Sequence, residues 1–134
     1  MLWNEAPQLS KQGLFVVGHA RAGTSILMRA LNLSSEVFLL AEPSFYREGL
    51  RPNFAEWYNS MHVAFGNARS KSTYCPHAPA TNSNAVETLA WLGKRYKYIG
   101  EKLAFRSRHL GYDTKAFFDF QAANFFDAHY ICIV

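Results

Sequence analysis

The segment Gly18-His19-Ala20-Arg21-Ala22-Gly23-Thr24-Ser25 sets two glycines five positions apart, the spacing of a loop that wraps a phosphate in its backbone N–H groups. Gly23 permits close backbone approach, and a helix starting after it adds the partial positive charge of its N-terminus. An anion is the expected occupant. A nucleoside-triphosphate loop carries lysine directly after its second glycine, and this chain has Thr24 there. The clamp on the β- and γ-phosphates is missing. Arg21, with the hydroxyls of Thr24 and Ser25, suits one phosphate and a group leaving from it; a solvated surface arginine is the alternative. Arg106, Arg108 and His109 form a small basic cluster that faces either an anionic acceptor or solvent. The five histidines, His19, His62, His77, His109 and His129, show no i, i+4 pair, so no metal site is expected.

The elements that must position these residues follow from hydrophobic patterning. Leu14–Val17 is apolar throughout and ends at Gly18, as a strand buried on both faces of a parallel sheet does. Gly23 to Asn32 is apolar nearly all round and predicts a deeply packed helix. Val37–Leu40 predicts a second strand closed by Glu42-Pro43, with the proline keeping Glu42 extended. Asn53 with Glu56, and Asn84 with Glu87, resemble capping boxes. The first opens an aromatic helix through Phe54, Trp57, Tyr58, Met61 and Phe65, the second a helix through Val86, Leu89, Ala90 and Tyr96. Residues 67–84, rich in Ser, Asn, Pro and Ala, predict a long loop. Tyr98-Ile99 predicts a short strand ending at Gly100-Glu101-Lys102. A helix over about 113–126 turns Phe117, Phe118, Ala122 and Phe125 toward the sheet, and His129–Val134 predicts a fourth strand. Alternating strands and helices indicate an α/β protein with a parallel sheet. An N-terminal extension, 1–12, precedes one domain, 13–134, that is expected to be truncated in or after its fourth strand.

The 134 residues, 49% hydrophobic and 18% charged, lie far from the disordered regime and suffice for one core. A net charge of +4 with scattered basic residues suits a small anion at least as well as nucleic acid, which is not an expected partner. No stretch approaches the ~20 apolar residues of a membrane span, and the first twelve residues hold no signal-peptide core. Cys132 lies in an apolar run, where a buried free thiol is expected. A reducing cytoplasm is the consistent compartment.

The glycine, basic residue, second glycine and Ser/Thr pair at Gly18, Arg21, Gly23, Thr24 and Ser25 resemble those of sulfotransferases that use 3′-phosphoadenosine 5′-phosphosulfate. Val37–Pro43 is similar to the second strand of the carbohydrate-type members, which ends in Glu-Pro. Gly100-Glu101-Lys102 resembles their Gly-Glu/Asp-Lys segment, with Leu103-Ala104-Phe105 where a proline commonly stands. Phe125–Val134 resembles the approach to the family's 3′-phosphate site, whose arginine and serine are not in this sequence. The resemblance implies a P-loop three-layer sandwich, and phosphosulfate as co-substrate without a metal. It further implies transfer of a sulfuryl group to a hydroxyl or amine of a carbohydrate or small metabolite. Gly18, His19, Ala20, Arg21, Ala22, Gly23, Thr24 and Ser25 would bind the nucleotide. Arg21 would stabilise charge on the departing phosphate, Glu42 would take the acceptor proton, and Lys102 would bind the sulfonate. Each has a plainer role open to it: Glu42 as a turn cap or partner of Arg47, Lys102 in a structural salt bridge. A P-loop kinase and a non-catalytic phosphate-binding fragment are the competing functions.

Overall fold

The computed structural model describes residues 10–42, 53–63, 75–105 and 114–134. In chain order these hold β1 (Ser10–His19), α1 (Thr24–Leu31), β2 (Val37–Ala41), α2 (Phe54–His62), α3 (Ala85–Arg95), β3 (Tyr98–Phe105), α4 (Thr114–Asn124) and β4 (Phe125–Ile133). The strands form one parallel sheet in the order β2-β3-β1-β4. The fold is therefore α/β, with β1 at the centre between β3 and β4.

Side chains alternate across the sheet, as strand geometry requires. Val16, Val37, Leu39 and Ala41 pack with Met28 of α1. Phe15, Val17, Phe38, Leu40, Ile99 and Leu103 pack with Phe54 and Tyr58 of α2 and Leu89 and Leu92 of α3. This second layer is the aromatic one, and the Phe38 ring lies 5.9 Å from Tyr58 and 5.1 Å from Tyr96.

Two asparagines do structural work that differs from place to place. The Asn84 side chain accepts from the Glu87 N–H at 3.0 Å and caps α3 as expected. Asn53 at the start of α2 makes no such bond. Its backbone, at φ −108° and ψ 40°, lies outside the extended region that aims a cap side chain at the first turn. Fully buried Asn32, just past α1, accepts from the Leu39 N–H at 2.7 Å and donates to the Leu39 carbonyl at 3.0 Å. It thereby satisfies part of the outer edge of β2, which among the described residues has a strand partner on one side only.

Several expectations need correction. The helix α1 is amphipathic, since Met28 is buried while Ile26 is 74% exposed. β3 does not stop at Gly100–Lys102 but runs through them to Phe105, because β1 pairs with it along its whole length. β4 begins at Phe125, where the predicted helix was to continue. Phe118 and Ala122 face outward, and α4 buries Gln121 and Asn124 instead; the Tyr130 hydroxyl donates to Gln121 Oε1. Cys132 is exposed on β4, which among the described residues has a strand neighbour only in β1, whereas Cys75 is buried; both thiols are free. The described part of the predicted loop, 75–84, holds neither helix nor strand, as expected, and packs against α2 through Asn59, whose carboxamide donates to the Thr81 carbonyl and accepts from its N–H. Phe65, Arg47 and the Arg106–Arg108–His109 cluster lie outside the described residues.

Candidate functional site at the carboxyl edge of the sheet

β1 ends at His19 and the chain turns at once. The Ala22 N–H donates to the His19 carbonyl at 3.1 Å, closing a tight turn. Arg21 sits in that turn at φ 72°, a left-handed conformation that glycine or asparagine usually takes and that costs an arginine roughly 1 kcal/mol. His19 and Arg21 are exposed, Ala20 and Ala22 half-buried.

The two glycines are required for different reasons. A Cβ on Gly18 would meet the Ile133 carbonyl at 2.8 Å and Thr24 Cγ2 at 2.9 Å, so here the need is for space. A Cβ on Gly23 would meet nothing within 4 Å, but its φ of 92° is one that side chains rarely adopt. Gly23 is the N-cap of α1 and offers no capping side chain. The first backbone donor of the helix is Leu27, to the Gly23 carbonyl at 3.0 Å. The N–H groups of Thr24, Ser25 and Ile26 thus have no intrahelical acceptor, and no acidic residue stands in the first turn. The positive end of the helix dipole is left uncompensated by side chains there, which favours an anion. Thr24 is buried and Ser25 half-buried.

Glu42 and Lys102 come together. Lys102 is inside β3, not after it, and its nearly buried Nζ lies 3.1 Å from Glu42 Oε1. The same Oε1 accepts from the Ala104 N–H at 3.1 Å. Ala104 lies opposite Gly18 in the β1–β3 register, so the carboxylate is fixed one strand away from the start of the glycine loop. Glu42 is not extended: its φ is 52°. The Glu42 N–H still donates to the Lys102 carbonyl at 3.1 Å, as a last rung of the β2–β3 ladder, and the chain then turns so that its side chain takes the next donor of β3.

The structure therefore brings Glu42 and Lys102 together beside the start of the glycine loop, while Arg21 lies within the loop. Arg21 and Glu42 follow parallel strands with β3 between them; β1 ends three residues further along β3 than β2, so the two strand ends are about 10 Å apart across the sheet and about 10 Å apart along it. Sequence reasoning missed His62, which is fully buried at the end of α2 and accepts from the Ala41 N–H through Nε2 at 3.4 Å. Burial pushes its pKa down to about 3, so it is a neutral prop under Glu42 rather than an acid or base at neutral pH. Its place on the aromatic face of α2, four residues after Tyr58, was the available signal.

Among the described residues there is no group of three or more His, Cys, Asp or Glu side chains that could hold a metal ion. No helix among them is long and apolar enough to cross a membrane. No family model, no curated protein and no solved structure matches this chain.

Proposed function

We propose that the chain is the nucleotide-binding portion of a P-loop sulfotransferase. Its co-substrate would be 3′-phosphoadenosine 5′-phosphosulfate, and the sulfuryl group would pass to a hydroxyl or amine of a carbohydrate or small metabolite. The observation that carries this reading is the pairing of Glu42 with Lys102 at the edge where the glycine loop opens. A phosphate site alone would serve many proteins; a fixed carboxylate and an ammonium next to it suit transfer from an anhydride to a hydroxyl.

The loop residues fit the co-substrate's charge. Gly23, Thr24 and Ser25 offer helix N-terminal N–H groups and two hydroxyls to a phosphate, and Arg21 supplies a full positive charge close by. Thr24 in the lysine position argues against tight binding of a magnesium–triphosphate. When bound, the phosphosulfate provides an activated sulfuryl group. Glu42 Oε1 is held by Lys102 and Ala104, while Oε2 has no hydrogen-bond partner among the described residues. Oε2 is therefore the atom that would receive a proton from an acceptor hydroxyl. Lys102 orients that carboxylate, and an arriving sulfonate would compete with Glu42 for its ammonium. We place this activity in the cytoplasm, in keeping with two free thiols.

Calorimetry with 3′-phosphoadenosine 5′-phosphate and, separately, with ATP and magnesium tests the reading. The bisphosphate should bind without metal and at least as well as ATP. Magnesium-dependent ATP binding that is clearly tighter would put a kinase in its place.

A further inference from the structure

The stretch before α3 and the first turns of that helix border a half-open cavity of about 280 Å³ lined by Thr81, Asn82, Ser83, Glu87, Thr88 and Trp91. Its walls are fixed. Asn59 grips the Thr81 backbone in both directions at 2.9 and 3.0 Å, and the Thr81 and Thr88 hydroxyls bond at 3.0 Å. The Tyr58 hydroxyl donates to the Pro79 carbonyl at 3.1 Å, and the Ser83 N–H to Thr81 Oγ1 at 3.1 Å. Glu87, Thr88 and Trp91 are neighbours on one face of α3, at the i, i+3 and i, i+4 spacings that bring side chains together.

Those bonds leave the functional groups of the lining spare. The Asn82 carboxamide, the Ser83 hydroxyl and the Glu87 carboxylate make no hydrogen bond or ion pair among the described residues. Trp91 keeps 40% of its surface exposed, and the Arg95 guanidinium lies 5.6 Å from its ring centroid, one turn further along the helix. A wall of spare hydroxyl, amide and carboxylate groups beside an exposed indole matches a ligand with one apolar face and a rim of hydroxyls. Among the described residues no cation lines the cavity itself, Arg95 lying on the Trp91 ring, and Glu87 repels anions, so a phosphate or sulfate is disfavoured. A wholly apolar ligand would desolvate the spare polar groups without pairing them. The volume lies just below the roughly 300–1,000 Å³ of drug-sized sites, which suits a single ring.

We propose that this cavity is a binding site for a neutral hexopyranose. The ring's C–H face stacks on Trp91, and its hydroxyls bond to Glu87, Asn82 and Ser83. The proposal is independent of the nucleotide reading and is tested without nucleotide. The full chain, labelled with ¹⁵N, is titrated with methyl β-glucopyranoside, methyl β-galactopyranoside and adenosine while amide and indole resonances are followed. At least one pyranoside should produce saturable shifts at Thr81–Thr88 and at the Trp91 indole, with a millimolar dissociation constant. Trp91→Ala should weaken it about tenfold, and Glu87→Gln, which preserves the helix, should weaken it several-fold. Lack of saturable shifts with both pyranosides, preferential binding of adenosine, or unchanged affinity in Trp91→Ala would overturn the assignment.

Discussion

The ammonium of Lys102 meets the carboxylate of Glu42 at 3.1 Å, joining the interior of β3 to the residue at which β2 ends. Lys102 is nearly buried and Glu42 is partly open to solvent, so each holds the other where neither would stay alone. Removing Glu42 leaves an ammonium without its counter-charge inside the sheet layer. Glu42→Ala should therefore destabilise the protein by about 2 kcal/mol, at the low end for a buried pair because one partner is hydrated. Lys102→Met should cost less, and the double variant less than the sum. Urea unfolding of all four proteins checks this; additive losses would mean that the pair does not couple.

Arg21 combines a strained backbone with a charge at the mouth of the loop. Arg21→Gly should raise stability by roughly 1 kcal/mol by relieving the left-handed strain while weakening nucleotide binding. Unfolding curves and calorimetry on the same protein separate the two effects. A variant that is less stable and binds as before would show that the strain serves no ligand.

His62 links stability to pH. Its folded pKa, about 3 through burial, lies below the ordinary value of 6.5. The unfolded chain therefore takes up the proton first, and the contribution is complete above pH 6.5 and lost as pH falls from there toward 3. The loss should approach about 1.4 kcal/mol per pH unit in that window. Urea midpoints at neutral pH and near pH 5 should diverge in the wild type and diverge less in His62→Gln; equal divergence would remove His62 from the linkage.

The two thiols should react at very different rates. Burial pushes the Cys75 thiol up to about 11, while Cys132 is exposed. Iodoacetamide at mildly alkaline pH should modify Cys132 quickly and Cys75 only on unfolding, as peptide mass spectrometry would report. Fast modification of Cys75 in the folded chain would mean that the contacts around it open readily.

What could be read from the residues alone was mostly local. Leu14–Val17 with Gly18, the Gly23 helix start and the Asn84 cap each state their structure within a few positions. The misreadings came from pairing at a distance. Gly100-Glu101-Lys102 looks like a strand end because it is polar, yet eight rungs to β1 carry β3 past it. Phe125 suits a helix as well as a strand, and only its register opposite Ser10 decides. Glu42 turns left-handed because its side chain takes the Ala104 N–H, a partner 62 positions away. Arg21 and Glu42 leave the sheet on the same side because parallel strands put all their exits there, whereas Lys102 lies within β3. Strand order, and with it the ion pair, had no local signature.

The most direct test of the nucleotide-binding reading is a ¹⁵N-resolved NMR titration of the chain with 3′-phosphoadenosine 5′-phosphosulfate, without metal. We predict the largest amide shifts at Gly23, Thr24 and Ser25, where the first turn of α1 presents N–H groups without intrahelical acceptors, with smaller shifts at Glu42 and Ala104. Shifts absent from those amides at saturation, or arising there only with ATP and magnesium, would contradict it.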